Sequence, residues 1–176
     1  MIGLSGNPEG LLVLMIAGTA MGMDLTTYKI DNRFLLISFV SGIVMHARTR
    51  GPAGLPDSAG GAMTAFSVLI LLFVFRVLGA GDIKLFCVLG TILGPVGIMN
   101  CIAGSFLLGA VFSLILMIVR GIFAERFLYF AGYVKETLRE GKIRPYRKPG
   151  IRRPEHFHFT VPVFLACVLG IRHGLI

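Results

Sequence analysis

Two acidic residues interrupt the apolar runs of this chain. Asp24 follows the run 10–23, and Asp82 follows the longer run 60–78. An acid at membrane depth costs about 2.5–3.5 kcal/mol at the centre of a spanning helix, so such residues are commonly held for function. Two carboxylates a few ångströms apart cannot both ionise cheaply, and the pair shares one proton. Such a pair binds a water between its members. The ionised acid takes a proton from the water while the neutral acid polarises a carbonyl. Peptide hydrolysis on this scheme needs no metal, no other cofactor and no covalent intermediate, and the two apparent pKa values belong to the pair. Asp24 and Asp82 therefore read as the catalytic dyad of an aspartic protease at a membrane boundary.

The neighbours of Asp82 in Gly79-Ala80-Gly81-Asp82-Ile83-Lys84-Leu85 fit that chemistry. Gly79 and Gly81 let the backbone turn beside the acid and let a substrate strand or a helix come close. Lys84 adds positive potential or reaches for the interface. These three are expected in substrate binding or backbone support. Plainer roles are open to each acid. Asp82 suits the N-cap of a helix beginning at Ile83, and Asp24 suits an interface anchor. Asp31 reads as a solvated loop acid or a cap. His156, His158 and His173 lack metal-ligand spacing and read as interfacial, and no metal site is expected.

The elements that must position these acids are hydrophobic. Of the 176 residues, 55% are hydrophobic and 15% charged, with a mean hydropathy of +0.82. A soluble domain of this length could not hide so much apolar surface. The expected fold is all-α, a polytopic membrane protein with about six transmembrane helices. The spans fall near residues 10–23, 34–45, 59–78, 83–93, 98–119 and 157–171, with a Gly/Pro-rich loop at 46–58 and a turn at 94–97. No cation precedes the first run, which reads as a retained span rather than a cleaved signal. Between the last two spans, Phe123, Phe127, Phe130, Val134 and Leu138 recur at helical spacing, the pattern of a surface amphipathic helix. Residues 142–153 are basic and carry prolines, as an extended linker does. The whole of 1–176 reads as one membrane-embedded domain with a cytoplasmic segment at 120–156. Cys87, Cys101 and Cys167 lie in apolar stretches and form no C-x-x-C pair.

The net charge of +8 raises nucleic acid as a partner. The cations, however, lie beside and between apolar runs, which is an orientation signal. With the N-terminus outside, all of the 17 Lys and Arg except Arg48, Arg50 and Arg172 fall on the cytoplasmic side. Nucleic-acid binding is not expected, and the bilayer is the expected partner. This orientation puts Asp24 and Asp82 at the same cytoplasmic edge of the cell membrane, at similar depth, although they are far apart in sequence.

The segment Gly79 to Leu85 resembles the Gly-x-Gly-Asp-x-Lys-Leu signature of type IV prepilin peptidases. Asp24 with Lys29-Ile30-Asp31-Asn32 resembles their first catalytic segment, with Asp31 where the family has proline. The closing stretch 159–170, with Pro162, is similar to the family's last span. The resemblance implies a polytopic aspartic protease whose two catalytic aspartates match Asp24 and Asp82. It implies cleavage of the basic leader from prepilin-like proteins at the cytoplasmic face, after a small residue. It also implies the short, peptidase-only form found with tight-adherence pili, since the paired C-x-x-C insert of larger members is absent from this sequence. Archaeal preflagellin peptidases share the pattern.

A basic leader gains little from a basic cytoplasmic face. Recognition is therefore expected to rest on docking of the substrate's hydrophobic helix, with Asp31, Glu125 or Glu136 meeting leader cations locally. Two other readings compete. A presenilin-like protease shares Gly-x-Gly-Asp, but this chain has Val161-Pro162-Val163 where those proteins have Pro-Ala-Leu. A proton-coupled transporter would place its acids near the midplane of facing helices.

Overall fold

The computed structural model describes residues 8–75, 77–119 and 158–176, and no strand occurs among them. Five helices follow in order: α1 (Pro8–Thr27), α2 (Asn32–Arg50), α3 (Gly54–Val74), α4 (Ala80–Val119) and α5 (Thr160–His173). The all-helical expectation is met. The amphipathic helix and basic linker expected in 120–156 lie outside the described residues. Among the described residues, three helical stretches are long and apolar enough to cross a membrane: Pro8–Thr27, Asn32–Val74 and Ala80–Val119. At 1.5 Å per residue, the 20 residues of α1 match a hydrocarbon core of about 30 Å.

The chain forms two compact units, Met1–Gly109 with His158–Ile176, and Ala110–Phe157. In the second unit the described residues continue α4 to Val119, with Leu114, Ile115 and Ile118 exposed. The first unit carries everything that follows.

Helix starts have local causes. Asp31 is extended (φ −66°, ψ 130°) and accepts the Arg33 N–H at 2.9 Å, so it is the N-cap of α2. The stretch 46–58 is not the loop expected from its prolines and glycines. Here α2 continues to Arg50, a 3-10 turn covers Gly51–Ala53, and α3 starts at Gly54. Pro52 and Pro56 each fall in a first helical turn, where a missing N–H costs nothing. Helix α5 ends in a left-handed Gly174 (φ 65°), with the Leu175 N–H donating to the Gly170 carbonyl at 2.9 Å.

Contacts fix the direction of each helix. Along α1, Gly10 lies against Ile171, Gly18 against Phe164, and Asp24 against Thr160, so α1 and α5 are antiparallel. The turn expected at 94–97 is a reversal inside α4, at Gly94 (φ 68°, ψ −178°) followed by Pro95. Phe86 before this kink and Phe106 after it both pack on Phe159, at ring-centroid separations of 6.3 and 5.2 Å. Within the first unit, the two arms of α4, 80–93 and 95–109, therefore run side by side in opposite directions.

In lipid, apolar burial alone does not drive helices together; close fit and small residues do. Gly61 of α3 and Gly90 of α4 touch backbone to backbone, and a methyl group on either would strike the other's carbonyl group. Beside them the Ser58 hydroxyl donates to the Thr91 carbonyl at 2.7 Å, fully buried. Val13, Leu69, Leu85, Phe86, Leu89 and Val163 fill the interior, while Leu36, Ile37, Leu71 and Val74 face outward, as lipid-exposed residues would. Cys101 and Cys167 are buried with their Sγ atoms 3.6 Å apart.

Polar groups gather at the end of the unit remote from Asp24. Glu9 accepts from Thr49 Oγ1 at 2.6 Å, and Arg50 donates to Asp57 at 3.1 Å. His46 is fully buried there, its Nδ1 3.8 Å from Glu9. Asp57 thus lies at the opposite end of the unit from Asp24.

Candidate active site

Asp24 lies one turn before the end of α1, where its carbonyl accepts the Tyr28 N–H at 3.0 Å. Asp82 stands in the first turn of α4. Helix α4 begins at Ala80, three residues earlier than a cap at Asp82 would require, so Asp82 does not occupy the N-cap. Its carboxylate instead leans back on the Gly79 backbone, as the acid of a capping box does. The two carboxylates, one from each end of this 58-residue interval of sequence, lie within Coulombic reach of each other.

The surroundings of Asp24 were not foreseen from its neighbours in sequence. Thr160 Oγ1 donates to Asp24 Oδ2 at 2.7 Å, and His158 Nδ1 lies 3.2 Å from the same oxygen. The Tyr28 ring packs on the His158 ring at 5.0 Å, tilted by 31°. Tyr28 holds φ 57°, a left-handed backbone that lets the chain leave α1 at this point. The carboxylate of Asp24 is 19% exposed, so water reaches it without flooding the site. His158, expected from the sequence only as interfacial, is thus also a direct neighbour of the Asp24 carboxylate. The useful signal was the charge pattern, which puts the start of the last span on the same side as both acids.

Two helix N-termini converge here. Asp82 belongs to the first turn of α4, and Thr160 is the first residue of α5. Each terminus brings partial positive charge, a setting worth about 0.3–1 kcal/mol to a nearby anion.

Gly79 and Gly81 do not need glycine for its positive φ, which among described glycines is found only at Gly51, Gly94 and Gly174. What Gly79 supplies is room: a Cβ there would sit 3.2 Å from Asp82 Oδ2. A Cβ on Gly81 would meet only Ile30, at 3.9 Å. Lys84 Nζ donates to Asn32 Oδ1 at 2.8 Å, tying α4 to the start of α2. It makes this bond rather than one to either acid. Between α2, α3 and the first arm of α4 lies an apolar groove of about 530 Å³, lined by Phe39, Phe66, Phe73, Ile83 and Cys87 among others. Ala80 and Lys84, flanking Asp82 in sequence, also line it. Among the described residues no group of three or more His, Cys, Asp or Glu is placed to hold a metal.

No match was found among curated proteins, nor among solved structures. A family model described as the type IV leader peptidase family matches residues 11–114. That interval contains Asp24, Asp82 and the whole segment joining them, and it covers more than half of the sequence. By this match, and with a fold whose helices suit a membrane, the chain belongs to the type IV leader peptidase family, whose members are membrane-embedded peptidases.

Proposed function

We propose that this peptidase removes the basic leader from type IV prepilin-like proteins at the cytoplasmic face of the cell membrane, with Asp24 and Asp82 as its catalytic dyad. What supports the reading is that Asp24 and Asp82, on helices far apart in sequence, interact electrostatically at one site. A water held between them adds its oxygen to the scissile carbonyl carbon. One of its protons passes to the ionised aspartate, while the neutral aspartate gives its proton to the carbonyl oxygen. Collapse of the tetrahedral carbon breaks the C–N bond: a proton from the dyad goes to the departing amine, and one hydroxyl of the tetrahedral carbon returns its proton to the dyad as the carbonyl of the acid forms. The sum is peptide plus water giving acid plus amine, with the dyad restored.

In this reading α1, α2, α3, the two arms of α4 and α5 each cross the bilayer, giving six spans with both acids inside. The groove beside Ala80 and Lys84 takes the hydrophobic helix of the substrate, leaving the leader in the cytoplasm. Gly81, uncrowded, permits the substrate backbone to approach.

The test is cleavage of a prepilin-like peptide, with basic leader, small residue and apolar helix, by purified full-length protein in liposomes. Cleavage by wild type that disappears in both Asp24→Asn and Asp82→Asn supports the reading. Ion flux without cleavage would favour a transporter. Cleavage within the apolar helix instead of before it would favour a presenilin-like protease.

A further inference from the structure

We propose that His158 and Thr160 are positioning residues for Asp24, and that by holding its Oδ2 they make Asp24 the base of the dyad and Asp82 the proton-bearing partner. This inference rests on the dyad reading above and extends it to residues outside the matched interval 11–114.

The geometry is specific to one oxygen. Thr160 Oγ1 donates to Oδ2 at 2.7 Å, and His158 Nδ1 stands 3.2 Å from that same atom. A threonine hydroxyl can rotate to accept as well as donate, but an imidazole Nδ1–H only donates. In the proposed state His158 carries its proton on Nδ1, the tautomer an ionised Asp24 selects; both groups then donate, Oδ2 is an acceptor twice over, and the proton shared by the dyad has no place on it. Among the described residues no hydrogen bond falls on Oδ1. That leaves Oδ1 to hold the water and take its proton, while Asp82 carries the proton given to the carbonyl oxygen.

The two donors are themselves fixed. The Tyr28 ring lies against the His158 ring at 5.0 Å. Thr160 is fully buried at the first position of α5, and Phe159 between them packs on Phe86 and Phe106. The short segment 158–160 is thus clamped by α4 and delivers two donors to α1. A carboxylate free to rotate would present either oxygen to the water. A carboxylate held at Oδ2 presents one, which is the pre-organisation that raises kcat without tightening substrate binding.

The experiment compares full-length wild type, His158→Ala and His158→Asn in liposomes, on the same prepilin-like peptide, with Asp24→Asn and Asp82→Asn as inactive references. His158→Ala is expected to lower kcat about 10- to 100-fold, the effect of losing a hydrogen bond to a charged group, and to leave KM within about twofold. Asparagine keeps an N–H donor close to the Nδ1 position, so His158→Asn should regain most of that loss. A second readout is independent of turnover. In isotope-labelled full-length protein in micelles, the His158 Nδ1 resonance should move when Asp24 becomes Asn.

Wild-type kcat in His158→Ala, beside inactive aspartate variants, would overturn the positioning role while leaving the dyad standing. So would an unmoved Nδ1 resonance in Asp24→Asn. A loss in His158→Ala that appears only as a lowered melting temperature, with kcat per folded molecule unchanged, would likewise reduce the contact to structure. Activity retained in Asp24→Asn itself would instead defeat the dyad.

Discussion

Thr160 Oγ1 donates to Asp24 Oδ2 at 2.7 Å across 136 positions of sequence. The bond joins the end of the first helix to the beginning of the last. Removing only the hydroxyl, by Thr160→Val, keeps the shape and the branched Cβ. It is expected to slow leader cleavage about 10-fold or more, as loss of a charge-assisted bond should. Thr160→Ser retains the oxygen and should stay within about threefold of wild type. Equal rates in the valine and serine variants would show that the hydroxyl does not act on Asp24.

Neither aspartate should substitute for the other. Asp24→Asn and Asp82→Asn are each expected to lower kcat at least about 10³-fold, within the range that general acid–base groups supply. The double variant should be hardly worse than either single one, since the two side chains act as a unit. Multiplicative losses in the double variant would mean that they work separately.

Hydrolysis by a pair of carboxylates takes its nucleophile from water directly. Prolonged treatment with a strong divalent-metal chelator should leave the initial rate of cleavage within about twofold of the untreated enzyme. Activity lost to the chelator and restored by one metal would replace the dyad scheme with metal-assisted hydrolysis.

The contact between Gly61 and Gly90 sets the spacing of α3 and α4. Gly61→Ala directs a methyl group at a carbonyl that cannot move aside. A destabilisation of about 1–3 kcal/mol is expected, seen as a lower unfolding temperature in detergent. Gly22→Ala, where a Cβ would meet nothing within 4 Å, is the matched control and should be neutral. Equal stability of the two variants would mean that the helices are not in close contact.

The six-span proposal has a direct check. In a background without native cysteines, Lys29→Cys should be labelled only from the cytoplasm, and Arg48→Cys only from outside. Both sites are exposed, so access to reagent reports sidedness. Labelling of both from one side would break the topology and move the acids with it.

Much of this was readable along the chain. Apolar runs longer than a soluble core can bury announce the long apolar helices of the fold, and the acids closing two of them mark the pair proposed as the dyad. The cation distribution assigns Asp24 and Asp82 to one edge because charge and hydropathy act locally, residue by residue. The kink at Gly94 was equally local, a Gly-Pro step that cannot continue a helix. Helix ends read less well. Prolines at 52 and 56 looked like a loop because a first-turn proline and a loop proline have the same sequence signature. What the sequence could not disclose was the company Asp24 keeps. His158 and Thr160 reach it only because α5 packs antiparallel to α1, and no spacing rule links residues 134 and 136 positions away. The tertiary fold decided which acid is held by two donors and which leans on its own helix start. Residue types settle that carboxylates are present, but hydrogen bonds between distant helices settle how each is turned.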